Sequence, residues 1–373
     1  MRAAWLEIDL GRIRSNLAHF RRLMGPDCQL CAVVKGNGYG HGAVPVSRAA
    51  LEAGCETLAV AMLCEAQQLR EAGLDAPILV LGESCADEAP GIVSLGATAA
   101  VATREMAEAL NGAAKAAGRI ADVHVKIDSG MGRQGVRWDE VDGLAARIAE
   151  LDHLRVSGLF THFAVAESDA DFTRWQFANF VSAAQRVEAV LGPIPFKHCS
   201  NTAGAVLYPE TRQSMVRLGV GWCGLNPGLP PEHMAGLLPT LSLRAKVVLV
   251  KTLHPGDSAG YGRCWRADAC RRIALLPLGY CDGYPRALSS NAEVLVRGKR
   301  VPVVGRISMD ATLVDVTGAG DIQVGEEAVL VGRQGDEEIG IEELARRAGT
   351  IVQDVVATFG PRLPRVYIND SRD

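Results

Sequence analysis

Lysine is scarce in this chain: only seven of its 39 basic residues are lysines, at positions 35, 115, 126, 197, 246, 251 and 299. A lysine that ends an apolar strand is then hard to dismiss as surface filler, and Lys35 and Lys126 both do so. Excess basic charge is missing as well. A net charge of -4 offers no cationic field for a phosphate backbone, which argues against nucleic acid as a partner. No apolar run approaches the ~18 residues of a membrane span, and Glu7 and Asp9 interrupt the N-terminus where a secretory signal needs an unbroken apolar core. The expected location is the cytoplasm, with no membrane partner. Among ten cysteines the only close pair is Cys28-x-x-Cys31, and no second pair completes a zinc site, so buried reduced thiols and no metal are expected. The first strand-to-helix turn lacks G-x-G-x-x-G, which counts against a dinucleotide fold.

What is present is periodic. Short apolar runs near 29–34, 57–63, 77–82, 97–102, 122–127, 155–160, 195–199 and 214–218 alternate with amphipathic stretches that often end in glycine. Eight strand and helix alternations in roughly 200 residues predict an α/β fold, a TIM-type (β/α)8 barrel with a parallel sheet inside a ring of helices. After Gly236 the texture changes to strand-like runs separated by glycine, proline and aspartate, with IGIEELARRAG as the one convincing helix. The expected domains are a barrel over residues 1–237 and a mostly β domain over 238–373. No internal repeat or low-complexity segment is visible.

Active sites of such barrels are built at the C-terminal ends of the strands. The first strand delivers Lys35 and Tyr39, the fifth Lys126, Asp128 and Arg133, the sixth His162, the seventh Ser200, Asn201 and Thr202, and the eighth Arg217, Gly219 and Gly221. Taken singly, each has an ordinary explanation: a lysine bridging carboxylates, a satisfied core histidine, an arginine paired on a neighbouring strand. Jointly, they point to one rim. A desolvated amine there can form a Schiff base with an aldehyde, and the glycines and hydroxyls of SNTAG and LGVGW suit a phosphate. Pyridoxal 5'-phosphate needs both, and the four glycines between Gly36 and Gly42 would let backbone approach it closely.

The segments KGNGYGHG, HVKIDSGMGRQGV, GLFTHFA, HCSNTAG, MVRLGVGWCGLNP, AGYGR, LPLGYCDGYPR and VVGRISMD, in this order, resemble the alanine racemase family of pyridoxal phosphate enzymes. The resemblance runs through nearly the whole chain. It implies Lys35 as the Schiff-base lysine and the proton carrier on one face of a small amino acid substrate. Tyr261 would act on the opposite face and come from the other subunit, which makes the enzyme a homodimer with shared sites. His162 would lie beside that tyrosine, and Arg217 would face the pyridine nitrogen. Tyr39, Asn201, Thr202, Gly219 and Val220 would contact the cofactor, chiefly its phosphate. Arg133, Met309, Tyr280 and Asp310 would meet the substrate or line its entry, and Lys126, often carbamylated in relatives, would orient Arg133. D-alanine for the cell wall is the family's usual product.

Two departures from the family pattern stand out. Gly36 and Gly38 occupy positions where alanine is usual, which at about 0.5 to 1 kcal/mol each within a helical turn predicts a looser loop. Pro361, in PRLPR, stands where relatives carry the tyrosine of Y-R-V-P-R, whose hydroxyl meets the phosphate and whose ring bounds the substrate pocket. Serine, or a broader substrate range, is the alternative to alanine that this implies. A pyridoxal phosphate carrier, an idle regulator and a decarboxylase of the same cofactor fold are the rival readings. The paired AGYGR and RISMD segments argue against them.

Overall fold

The structure is a computed structural model and describes residues 2–371. The chain opens with strand β1 (Ala4–Asp9), and Asp9 then caps helix α1 (Leu10–Met24) by accepting from the Arg12 amide. Eight parallel strands follow, at β2 (Gln29–Val33), β3 (Thr57–Val60), β4 (Ile78–Val80), β5 (Thr98–Val101), β6 (Ala121–Asp128), β7 (Leu154–Phe160), β8 (Phe196–His198) and β9 (Met215–Leu218). From β2 to β8 each pairs with the next in turn, and β9 pairs with β2. Backbone bonds from Ser214 to Lys197 and from Arg217 to Ser200 carry the ring across β8 and β9. All eight barrel strands coincide with the apolar runs read from the sequence, because strands covered on both faces must be apolar almost throughout.

The second region holds a long sheet in which β10 (Leu241–Lys246) pairs with Glu327–Gln334 on one side and with β1 on the other. The last strand, Arg365–Ile368, lies parallel to β1 and completes that edge. A cut at 237/238 therefore separates Ala4–Asp9 from the sheet it belongs to. The alternating WLEID pattern could have signalled a strand, but nothing local shows that its partner lies some 240 residues away. A second correction concerns helices: besides Ile341–Ala348, this region contains Val352–Thr358, too short for a clear helical period. Among the described residues no helix is long and apolar enough to cross a membrane.

The turn after β2 overturns the expectation of a loosened loop. Gly36, Asn37, Gly38 and Tyr39 all have φ between 48° and 63°, and Gly40 follows at 78°, so the chain makes a left-handed helical turn. In that hand a side chain costs about 1–2 kcal/mol per residue, and glycine relieves the strain that alanine would bear. Asn37 tolerates the conformation and locks it by accepting from the Ala43 amide through Oδ1 at 2.9 Å. Gly40 leaves no alternative, because an added Cβ would lie 2.1 Å from the Val356 carbonyl oxygen.

Substituting Gly36→Ala gives a signed test. Nothing lies within 4 Å of the new methyl, so only backbone hand decides the outcome. The variant should lose about 1 kcal/mol of stability in urea unfolding, whereas a right-handed turn would gain a similar amount.

Candidate active site

The barrel's C-terminal rim gathers the side chains singled out there from the sequence. Lys35 follows β2 directly. Burial pushes its ammonium below the ordinary lysine range, Arg133 and Arg217 push the same way, and Glu65 opposes them. Lys126, near the end of β6, is buried with its Nζ 4.3 Å from the centre of the Phe160 ring. Burial first, then Arg217 and Arg133, hold it far below its usual value. The nearby Asp128 carboxylate is engaged by the amides of Gly130, Met131 and Gly132, which shapes the loop that presents the exposed Arg133. The rim is strongly cationic.

Arg217 is the most constrained of these groups. Its Nη atoms donate to the carbonyls of Thr161, His198 and Cys199, to His198 Nδ1 at 2.8 Å and to His162 Nδ1 at 3.2 Å. Burial lowers it to about 10, so it stays charged at neutral pH. An arginine can only donate, which fixes the tautomers around it. His162 must carry its proton on Nε2. His198 must do the same, and its Nε2 donates to His124 Nδ1 at 2.9 Å. Arg217 Nε makes no hydrogen bond to the described residues, which leaves one guanidinium donor unused.

His198 and His124 were missed in the sequence reading. Their signal was two histidines on barrel strands, yet only the fold brings β6 and β8 into register with Arg217 between His162 and His198. Gly158 is part of the arrangement, since any side chain there would meet the His124 ring at 2.6 Å. A cavity of about 960 Å³ beside His124 opens at the opposite, N-terminal end of the barrel, away from Lys35.

The phosphate candidates also converge. The buried Thr202 hydroxyl accepts from the Gly221 amide, and the Tyr39 hydroxyl lies 2.6 Å from where a Cβ on Gly219 would stand. Gly219, Val220 and Gly221 thus present backbone on a surface that side chains would block. Asn201 caps the following short helix by accepting from the Gly204 amide. Open amides, several cations and an unused Arg217 donor fit a phosphorylated pyridine aldehyde. The described residues contain no group of three or more histidine, cysteine or acidic side chains arranged for a metal.

Tyr261, Tyr280, Met309 and Asp310 lie elsewhere. Tyr280 donates its amide to the Ser308 carbonyl, Cys281 does so to Met309, and Gly262 packs on the Arg306 guanidinium, which unites the three loops of the second region. Tyr261 is 69% exposed and Met309 49%. Within the chain no hydrogen bond or ion pair joins this group to Lys35, His162 or Arg217 among the described residues. Asp310 is held by Arg362, next to the exposed Pro361.

Four buried histidines make the fold acid-sensitive. His41 and His124 are held at about 4, and His162 and His198 well below 6.5, in each case chiefly by burial. Their depressed values mean that stability is complete above about pH 6.5 and is lost as pH falls, because the unfolded chain binds the protons first. Each histidine should therefore destabilise the fold progressively as pH falls below about 6.5. Urea midpoints measured from pH 7.5 to 5.5 should fall steeply, and His124→Gln should reduce the slope by one proton.

Comparison with known proteins places this geometry. Residues 8–227 match the family model for the alanine racemase N-terminal domain, and 240–367 that for the alanine racemase C-terminal domain. An alanine racemase of Symbiobacterium thermophilum is 43% identical over 98% of this chain and 97% of its own. The crystal structure of alanine racemase from Bacillus anthracis with bound L-Ala-P has a TM-score of 0.94 at 35% identity, covering 99% of this chain and 96% of that one. A histidine racemase of Leuconostoc mesenteroides matches with a TM-score of 0.89 at 30% identity, over 99% and 98% of the two chains. Matched over both regions by the family's two domain models and over almost its full length by such relatives, the chain belongs to the alanine racemase family.

Proposed function

We propose that the protein interconverts L- and D-alanine by moving the Cα proton between Lys35 on one face and Tyr261 of the partner subunit on the other. The carrying observation is a divided set of groups: Lys35, His162 and Arg217 lie on the barrel rim, while Tyr261 stands exposed on the second region with no link to them in its own chain. Two copies related by a twofold axis would complete two sites.

Pyridoxal phosphate, when bound, supplies the electron sink that makes the Cα proton removable. Lys35 would hold it, with Tyr39, Asn201, Thr202, Gly219 and Val220 around the phosphate and Arg217 Nε toward the ring nitrogen. Burial and two arginines favour a neutral Lys35 amine, the form that accepts a proton. Because Arg217 keeps its own proton, it draws charge from Cα only weakly, which favours returning the proton to Cα. The Nε2 proton of His162, fixed by Arg217, would donate to the phenolate of Tyr261 of the partner subunit. A free tyrosine titrates near ~10, so such stabilisation is required for a base. Arg133 would take the substrate carboxylate, with Met309, Tyr280 and Asp310 at the entry. Lys126 is a buried amine whose neutral form burial favours; that form adds carbon dioxide with release of one proton to solvent, and the resulting carbamate would give Arg133 an anionic partner.

The second reading, a serine or broad-range racemase, rests on Pro361, which brings no hydroxyl and no aromatic ring to the family tyrosine's position. That the histidine racemase shares this fold shows how far substrate choice varies on it.

Lys35→Ala and Tyr261→Phe should each abolish racemisation followed by chiral chromatography. Mixed and refolded together they should recover about a quarter of wild-type activity, since half of a random dimer population carries one intact site. No recovery would remove the shared-site reading. For the substrate, Pro361→Tyr should shift the serine-to-alanine ratio of kcat/KM toward alanine and slow cofactor loss on dialysis; an unchanged ratio returns the pocket to ordinary alanine use.

A further inference from the structure

We infer that Glu65 is a positioning residue for Lys35, at once the anchor of the turn that carries it and the anion that balances it. The inference rests on the proposed role of Lys35. The backbone ladder between β2 and β3 ends where Val34 donates to the Ala59 carbonyl at 2.8 Å. A regular ladder would continue from Gly36 to the Ala61 carbonyl, but the chain has turned left-handed and Ala61 instead accepts from Gly82. Glu65 supplies the missing rung. Its Oε1 accepts from the Gly36 amide at 2.6 Å, and its Oε2 from the amides of Ala61 at 2.7 Å and Met62 at 3.2 Å.

A helix cap alone would explain the bonds to Ala61 and Met62, which open the helix Leu63–Glu71. It does not explain the bond to Gly36, which belongs to a different element and is covalently next to Lys35. Nor does capping explain the charge balance. Lys35 is faced by Arg133 and Arg217, with Lys126 and the neutral His162 beyond and Tyr39 on its own turn. Asp128 spends its oxygens on the amides of its own loop. Glu65 is the carboxylate that acts on Lys35, and it favours the protonated nitrogen.

Anchor and charge separate by substitution. Glu65→Gln keeps an oxygen for Gly36 and drops the charge, whereas Glu65→Ala drops both. In the holoenzyme, the pH midpoint of the absorbance band that reports protonation of the Lys35 nitrogen should move to lower pH in both variants, because removal of an anion disfavours the charged form. In Glu65→Ala, kcat should also fall about tenfold to a hundredfold with KM little changed, and Glu65→Gln should recover most of that loss. Thermal unfolding monitors the cap separately. A band whose midpoint is unmoved in both variants overturns the inference and leaves the racemase reading intact. Absence of any band in the wild-type holoenzyme overturns both.

Discussion

A left-handed turn of five residues holds the two regions of this protein to one another. Its hand is unfavourable for any L-residue, so it persists only because its surroundings leave no other path. From the barrel side, Glu65 takes the Gly36 amide, Asn37 closes on Ala43, and Trp222, buried after β9, donates to the Val33 carbonyl and packs edge-on against Tyr39 and His41. From the other side, Arg365 Nε and Nη2 donate to the Gly40 carbonyl at 3.1 and 3.0 Å, Val356 presses its carbonyl against Gly40, and the Tyr367 hydroxyl donates to the His41 carbonyl at 3.2 Å. Lys35 is the residue before the turn. Its position is therefore determined by both regions, and neither alone supplies all the clamps.

The same packing leaves a concentration of positive charge that the protein alone does not neutralise. Lys35, Lys126, Arg133 and Arg217 face the rim, while Asp128 is spent on backbone and Glu65 on the turn. Burying charges without partners is costly, and the protein answers in two ways. The lysines lose basicity, and burial first, then the charge of Arg217, keeps the histidines that touch it neutral. What remains is complementary to an anion bearing several negative oxygens, which is the electrostatic signature expected of a phosphate and carboxylate site. Neutral histidines follow first from burial and then from the arginine's charge, and the directed chain from Arg217 through His198 to His124 has a single proton arrangement.

Much of this was legible in the sequence, for identifiable reasons. Barrel strands buried on both faces must be apolar runs, so their places could be read directly, and the residue after each run had to sit on one rim. What escaped depended on distance or hand. The strand Ala4–Asp9 finds its partners at Leu241–Lys246 and Arg365–Ile368, which no local pattern reveals. The glycines at 36 and 38 were read with the sign of a right-handed helix, although G-N-G-Y-G could have announced positive φ: asparagine and glycine are the residues that accept it. His198 and His124 were not singled out because their meaning lies in Arg217, which the fold sets between His162 and His198, and not in their own spacing.

The exposed face of the second region follows from the same logic of incomplete surroundings. An isolated chain rarely leaves two tyrosines and a methionine this exposed together; Tyr280 and Met309 are held by backbone bonds among Tyr280, Cys281, Ser308 and Met309, and the Tyr261 loop by Gly262 packed on Arg306, rather than by side-chain burial. Rigid loops with open side chains are surfaces shaped before contact, which lowers the ordering entropy paid on association. The barrel rim is shaped in the same manner, with the Nη donors of Arg217 engaged, its Nε unused, and the His162 proton placed on Nε2 by the Arg217 bond to Nδ1. In the proposed dimer the two half-sites lie on different regions of one chain, and a twofold axis between two copies would join both pairs at once. Under the proposed reading, catalysis is then a property of the dimer, and the clamped turn at Lys35 is what makes each half rigid enough to meet the other.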